Sequence, residues 1–444
     1  MAGSRKSPPG SALPAQVSAV LRQYVQRGAR VVAGLSGGVD SVVLLDLLAR
    51  AARKLRFELV ALHVNHQINP NAGRWAAFCR TLCRQRGIPL KVLRVTVERG
   101  GSLEARARAA RYRAFAAQRA DCIALAHNLD DQAETVLLQL LRGAGVKGVS
   151  AMPVLRQAAP HAAILRPLLD IPRRDIEAYA RRRKLAWVED GSNADLELDR
   201  NYVRHRVLPA IAERYPSYRT TLARASRNFG ESAQLLDDLA AADAEFTREG
   251  LGIDSLATLS AARAKNVLRY FLARHGVPMP NAARLDECVR QLQLRRTARI
   301  VIEIGAHELR RHGDELRIVA KTAALPRTFR REWRGEASLA LPELGGALEL
   351  KRCRGRGISL ARLNAQPVSV RLRQGGERLR PHAQRPRRSL KNLLQEARMP
   401  PWQRARLPLL FCGNTLVYVP GIGIDAAFCA TAGESAVEPR WICG

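Results

Sequence analysis

Between residues 30 and 141 short apolar runs alternate with longer stretches of helical period. Strands are expected over 30–35, 57–64, 90–95 and 121–126. Helices are expected from the 36–40 turn to 52, and over 72–86, 103–117 and 130–141. Short strands alternating with helices of this length predict βαβ units and a parallel, Rossmann-like sheet. Such sheets take ligands at the carboxyl ends of their strands.

Farther along, the period changes. From about 216 to 244 the pattern is long, helical and alanine-rich. A mixed stretch follows to about 321, with VLRYFLARHG as a helix and LRIVA as a strand. Residues 323–345 have few strong periods, and the remainder has alternating segments at 368–372 and 416–419 around a Pro/Arg-rich middle. The organisation expected is a flexible leader (1–14), a catalytic α/β domain (15–216), a helix-rich middle domain (217–322), a linker (323–345) and a small α+β domain (346–444). No internal repeat stands out.

Composition narrows the class. With 444 residues and 47% hydrophobic positions, the chain can build several cores and is not a disordered basic tail. No run of about 18 apolar residues occurs, so no membrane helix is expected. The opening MAGSRKSPPGSALPA lacks the apolar centre of a secretory signal, and a cytosolic address is expected. The 73 Lys and Arg against 40 Asp and Glu leave a net charge of +33, which points to a polyanionic partner such as nucleic acid. A soluble enzyme with a merely basic surface is the alternative. The eight cysteines form no C-x-x-C, so neither a zinc ribbon nor a redox pair is suggested. Cys79 and Cys83, one helical turn apart near Trp75 and Phe78, are expected to be buried.

The candidate chemistry clusters at strand ends. Ser36-Gly37-Gly38-Val39-Asp40-Ser41 follows the first strand and opens a helix. Its glycines permit positive φ and close ligand approach, and the helix N-terminus offers unpaired N–H groups to a phosphate. Asp40 suits Mg²⁺ beside that phosphate; a plain helix cap is the bland alternative. The sequence is neither G-x-x-x-x-G-K-[ST] nor G-x-G-x-x-G. His63 and His66 end the second strand and could be a base, a phosphate contact, metal ligands or structural. Arg106 lies on the third helix, where it could equally belong to a solvated basic face. His127-Asn128-Leu129-Asp130-Asp131-Gln132-Ala133-Glu134 ends the fourth strand, with Asp130 and Glu134 on one helix face. Asp131 and Glu134 could be part of a capping box, but that accounts for one acid at most. An acidic cluster beside such a loop can bind Mg²⁺ or a cationic amine and accept its proton. Arg142 to Gly148 reads as a flexible turn or a phosphate-approaching loop. Arg200 and Arg204 share a helical face and could grip phosphate.

The SGGVDS loop resembles the PP-loop of the N-type ATP pyrophosphatase superfamily. Together with HVNHQINPNAGRW, EARARAARYRAF, AHNLDDQAET, LLRGAGVKGVSAM, ILRPLL, WVEDGSNADLELDRNYVRHRVLP, RQGGERLRP, SLKNLLQEARMPPWQRARLPLL and VPGIGI, it closely resembles the bacterial tRNA(Ile)-lysidine synthase family. These pieces span roughly 30–215 and 370–425. Gln67-Ile68-Asn69 departs from the Gly-Leu-Arg usual in that family.

The resemblance implies a PP-loop ATPase domain, then a helical middle domain and a tRNA-binding α+β domain. It implies a ligase that uses ATP and Mg²⁺ to attach L-lysine to C2 of the wobble cytidine of a CAU-anticodon tRNA(Ile). An adenylated cytidine is the intermediate, and AMP and pyrophosphate leave. Codon specificity then changes from AUG to AUA. ATP is expected on Ser36, Gly37, Gly38, Val39, Asp40, Ser41, Arg106 and His127, with the metal on Asp40 and Asp131. Asp130 is the first candidate for proton acceptor, Glu134 for orienting the ammonium, and His63 or His66 the alternative base. The tRNA is expected on Arg200, Arg204, Arg378, Arg380, Arg387, Arg388 and Lys391. A tRNA thiolase of the same superfamily would need a nucleophilic cysteine, and none lies beside the motifs in sequence. A noncatalytic RNA-binding protein would not need Asp40, Asp130, Asp131 and Glu134. Monomer and homodimer both remain open.

Overall fold

A computed structural model of the chain describes residues 12–96, 103–159, 162–191, 195–247, 250–294, 300–323, 325–326 and 328–443. Most of the expected leader lies outside these residues, and α1 (Leu13–Tyr24) begins inside it, with Leu13, Val17 and Leu21 buried. The chain divides into two compact units, Met1–Leu239 and Ala240–Gly444.

In the first unit, β1 (Arg30–Gly34), α2 (Val39–Leu55), β2 (Glu58–Asn65), α3 (Ala72–Gln85), β3 (Leu90–Arg94), α4 (Leu103–Ala116), β4 (Cys122–Ala124) and α5 (Leu129–Leu141) follow the expected alternation. Then come α6 (Val146–Val149), β5 (Leu155–Ala159), β6 (Ala162–Leu165), α7 (Arg173–Arg182), α8 (Asp199–Tyr202), a π-helical turn (Val203–Val207), α9 (Leu208–Arg214) and α10 (Tyr218–Asp243), whose last residues belong to the second unit. The sheet order is β3-β2-β1-β4-β6-β5. Neighbours pair in parallel except β5, an antiparallel edge strand that the βαβ pattern does not foresee. Helix α2 is buried almost all round over Val42 to Leu48, as expected of a helix packed within a core. The two strands that flank β1 run in the same direction, so the loops after β1, β2 and β4 share one edge.

In the second unit, β7 (Gly250–Gly252), α11 (Ile253–Thr258), α12 (Ala261–Arg274), α13 (Ala282–Leu294), β8 (Val301–Ile304), β9 (His307–His312) and β10 (Glu315–Ala320) form a module. Its core runs through Leu256, Leu268, Phe271, Leu285 and Leu316. The middle region therefore holds a four-stranded sheet, β7-β10-β9-β8, as well as helices. The stretch expected as a linker contains β11 (Arg330–Trp333) and β12 (Ser338–Leu341). Each is four residues long, too short for a period to stand out, yet Trp333, Leu339 and Leu341 are buried.

The last part adds β13 (Gly346–Arg354), β14 (Ile358–Ser359), α14 (Leu360–Leu363), β15 (Val368–Arg371), β16 (Arg378–Leu379), β17 (Arg388–Ser389), α15 (Leu390–Glu396), α16 (Pro401–Arg404), β18 (Leu409–Cys412), β19 (Thr415–Val419), β20 (Gly423–Ile424) and β21 (Ser435–Cys443). They form the sheets β11-β15-β18-β19-β20 and β12-β13-β21-β14 and the small pair β16-β17. Among the described residues, no helix is long and apolar enough to cross a membrane.

Candidate active site

The loop after β1 is held open by its own side chains. Ser41 Oγ accepts from the Gly37 N–H at 3.1 Å, lies 3.1 Å from Ser36 Oγ, and donates to the Gly38 carbonyl at 2.9 Å. Gly38 is the N-cap of α2 and supplies no side-chain cap, so first-turn N–H groups are left for a ligand. Gly37 sits at φ +97°, where a Cβ would come within 2.8 Å of Val188 Cγ2. Its carbonyl accepts from the Val188 N–H at 3.0 Å, which ties the loop to the segment before α8.

Asn128, 1% exposed, joins this loop to the acids. Its Oδ1 accepts from the N–H groups of Asp130 and Asp131, and Asp131 Oδ2 accepts from the Asn128 N–H. The capping box is therefore Asn128 with Asp131, one turn earlier than Asp131 with Glu134. The Asn128 amide donates to Asp40 Oδ1 at 3.0 Å, across 88 residues of sequence.

Each acid has cationic or N–H partners. Glu134, 1% exposed, accepts from Arg200 Nε at 2.8 Å and from Arg204 Nε and Nη2 at 2.6 and 2.9 Å. Asp131 Oδ1 accepts from Arg200 Nη2 at 2.9 Å and Arg204 Nη2 at 3.4 Å. Arg200 and Arg204, expected to grip tRNA phosphate, are thus drawn to two carboxylates in a charge-balanced quartet. Asp130 Oδ2 accepts from the Arg173 N–H at 2.8 Å, and its Oδ1 accepts from Arg219 Nε. Arg173 Nη1 lies 3.9 Å from Asp40 Oδ2.

Burial, helped by the nearby Asp131 charge and opposed by Arg173, pushes Asp40 up from 3.8 to about 6. Its charged form therefore destabilises the fold, by on the order of 3 kcal/mol once pH exceeds the folded value. This cost is absent below the unfolded value, 3.8, and develops as pH rises toward about 6. Asp40→Asn keeps the Asn128 contact and removes the charge. Its melting temperature should exceed wild type clearly at pH 7.5 and only slightly at pH 4.5; equal melting temperatures at pH 7.5 would refute the burial cost.

The histidines separate. His63, 4% exposed, has Nδ1 2.8 Å from the Leu35 carbonyl and 3.6 Å from Cys79 Sγ. Burial lowers its pKa, so a neutral ring donating from Nδ1 fits. Its contacts brace the strand end below the loop and include none of the acids. His66 Nδ1 is buried with no hydrogen-bond partner, and burial and then Arg111 lower its pKa. Arg106 is half-buried on α4. His127 Nδ1 is buried and without a hydrogen-bond partner.

Cys79, distant from the phosphate loop in sequence, lies under it, with its Sγ 3.5 Å from where a Gly37 Cβ would stand. It is fully buried and its thiol is pushed up to about 12, by burial first, so it is no nucleophile. The 67–69 departure also has a structural reading. Gln67 holds φ +56°, a conformation that favours glycine, and Asn69 Nδ2 donates to Asp190 Oδ1 at 3.4 Å.

In the second unit the arginines expected to hold tRNA fall into two groups. Arg387 pairs with the fully buried Asp425 at 3.1 Å, and Arg388 pairs with Glu396. Arg380 donates to Asp425 at 3.0 Å through its backbone N–H only, and its side-chain Nε is buried without a hydrogen-bond partner. Arg378 and Lys391 are exposed, with no carboxylate partner among the described residues. Asn128, Arg173 and Arg219 were missed by sequence reasoning: Asn128 carries a cap signal, but the two arginines reach Asp130 across 43 and 89 residues.

Asp40 and Asp131 are the carboxylates expected for Mg²⁺. Two carboxylates beside a phosphate loop suit a metal that keeps most of its ligands from phosphate and water. Among the described residues, no group of three or more His, Cys, Asp and Glu is placed to hold a metal by itself.

Residues 12–211 match the PP-loop domain, residues 251–317 the TilS substrate binding domain and residues 368–441 the TilS substrate C-terminal domain. The chain is 45% identical over 428 residues to the tRNA(Ile)-lysidine synthase of Nitrosomonas europaea, covering 95% of this chain and 93% of the relative. It is 42% identical over 419 residues to that of an Azoarcus species, covering 93% and 92%. Among solved structures, a U34-tRNA thiolase from Methanococcus maripaludis is 21% identical over 49% of this chain and 78% of its own, with a TM-score of 0.43. Three domains matched along the sequence and identities of 42–45% over more than nine tenths of its length show that the chain belongs to the tRNA(Ile)-lysidine synthase family.

Proposed function

We propose that the protein joins L-lysine to C2 of the wobble cytidine of a CAU-anticodon tRNA(Ile), splitting ATP to AMP and pyrophosphate. The observation that carries the reading is the Asn128 bridge, which sets the phosphate loop and the acidic helix start side by side. In the first step the cytosine C2 oxygen attacks the α-phosphorus and pyrophosphate leaves. The N–H groups at the start of α2 and the Ser36 and Ser41 hydroxyls are suited to hold the departing phosphates. Asp40 and Asp131 would hold Mg²⁺, which when bound neutralises charge on those phosphates.

In the second step the lysine ε-amine attacks C2 and AMP leaves. That amine has a pKa of about 10.4 in water and arrives protonated, so a base must deprotonate it. Asp130 is the candidate: its side chain is 19% exposed and faces one guanidinium, that of Arg219, whereas Glu134 is 1% exposed and held by two. Glu134 would then act by holding Arg200 and Arg204, and either arginine would reach tRNA phosphate only by exchanging a carboxylate for it.

Asp130→Asn should lower single-turnover lysidine formation by about 100-fold or more, while tRNA-dependent pyrophosphate release persists. Near-normal lysine incorporation would remove Asp130 from the role of base.

The β16–β17 hairpin of the last domain, with the start of α15 that carries Lys391, would grip the tRNA body through phosphates. Reversing Arg378 and Lys391 to glutamate should raise the tRNA KM by about tenfold and flatten its dependence on salt. The KM values for ATP and lysine should stay put. A tRNA KM within twofold of wild type would leave the hairpin without that role.

A further inference from the structure

Among the described residues, the bulkiest fully buried side chain is a cation. Arg166, the residue after β6, is 2% exposed. Its Nη1 donates to the Pro153 carbonyl at 2.7 Å, and its guanidinium also bonds to the Tyr112 hydroxyl. Both partners are neutral. Its Nε is buried with no hydrogen-bond partner. Burial lowers its pKa, yet an arginine stays charged at neutral pH.

The surroundings add more positive charge. The Tyr112 ring has the guanidinium of Arg108 at 5.1 Å and that of Arg156 at 5.2 Å. Arg108 Nη2 also donates to the Tyr112 hydroxyl at 3.4 Å. His127, after β4 on the neighbouring strand, has its buried Nδ1 unpartnered. Burial, then the charges of Arg166, Arg200, Arg108 and Arg111, hold His127 well below its usual pKa, so the ring is neutral. Among the described residues, Arg108, Arg156 and Arg166 have no carboxylate partner. The contrast with Arg200 and Arg204, each held by two acids, is sharp. Arg156 is exposed and Arg108 half-buried, but Arg166 is buried, and a buried cation left without a counter-ion is costly unless an anion arrives to meet it.

We propose that Arg166 is the positioning residue of an oxyanion pocket, bordered by Arg108 and His127 at the ends of β4 and β6, that receives a phosphate group of a substrate. The inference rests on the function proposed above, in which ATP and tRNA are the two phosphate-bearing substrates. Arg166 is too deep to leave its place. Its tethers to Pro153 and Tyr112 fix the β5–β6 hairpin and α4, and with them Arg108. Its charge, unspent on any acid, raises the potential in the pocket.

Steady-state kinetics of the full chain with Arg166→Gln and Tyr112→Phe tests this, with ATP, a tRNA(Ile) transcript and lysine varied in turn and melting temperatures measured alongside. Arg166→Gln should raise the KM of either ATP or the tRNA by about tenfold while the lysine KM and kcat stay within about threefold. The substrate that moves identifies the source of the phosphate. Tyr112→Phe keeps the charge of Arg166 and removes the hydroxyl that Arg166 and Arg108 share, so it should move the same KM in the same direction, by less. It carries the test if Arg166→Gln does not fold. Unchanged KM values for both phosphate substrates in whichever variants fold would overturn the proposal. So would a parallel loss of kcat and of affinity for all three substrates that tracks melting temperature, since that is what a merely structural arginine gives. Wild type should incorporate lysine in the same assay. Its failure would count against the function, whereas a normal Arg166→Gln would count only against the pocket.

Discussion

Glu134→Gln should destabilise the protein by about 3–5 kcal/mol, the usual result of removing one side of a buried ion pair. Glu134 is 1% exposed and accepts three hydrogen bonds from Arg200 and Arg204. Glutamine is nearly isosteric, so packing survives and the charge alone is lost. Asp131 would be left as the one acid for two arginines, both of which are about three quarters buried by side chain. A melting midpoint lower by about 10 °C is the expected reading for a unit of this size. Activity should fall with it even well below the melting point, because Arg200 and Arg204 lose the group that fixes them. Arg204→Met should destabilise similarly. The double variant should lose less than the sum, since the second change removes a charge already stranded. Strict additivity, or a midpoint within 2 °C of wild type, would show that the quartet is not a coupled unit.

Gly37→Ala should lower ATP affinity by about 100-fold, with a modest stability cost of about 1–2 kcal/mol. Two independent facts oppose a side chain there: φ is +97°, and the added Cβ would press to 2.8 Å from Val188 Cγ2. The loop can relieve both only by shifting backbone, and its backbone N–H groups are what a phosphate would meet. Gly38→Ala is the control. Gly38 has φ −70° and its nearest neighbour to a new Cβ is Ser36 Oγ at 3.6 Å, so the loop itself need not move. Equilibrium binding of ATP to the two variants checks the contrast. Equal affinities would mean that loop shape does not govern nucleotide binding.

The catalytic sheet was largely readable from sequence, because its strands are apolar runs set off by turns and its helices are long enough to show a period. Four strands and four helices fall within a few residues of their expected limits. The phosphate loop was equally plain, since two glycines and two serines at a strand-to-helix junction leave few other uses. Pairings across long stretches of sequence were not readable. Glu134 meets Arg200 and Arg204 across 66 and 70 residues, and nothing local distinguishes those arginines from the many others. They therefore read as phosphate ligands until their acids came into view. His63 also read as a candidate base, because burial and its bond to the Leu35 carbonyl are tertiary facts. The β5 edge strand and the two short strands at 330–341 escaped notice because a few residues cannot establish a period against charged neighbours. Charge behaved in the same way: a +33 surplus pointed to a polyanion, but pairing decides which cations remain free to meet one. Arg387 and Arg388 are tied to acids, whereas Arg378 and Lys391 have no carboxylate partner among the described residues.

The most direct test is ATP-dependent incorporation of labelled L-lysine into a tRNA(Ile) transcript with a CAU anticodon, beside a transcript in which the wobble C is replaced by U. Label should enter the first transcript in proportion to AMP formed, should not enter the second, and should vanish without ATP. Absence of label from the CAU transcript with a folded, ATP-binding protein would contradict lysidine formation at this site, as would equal labelling of the two transcripts.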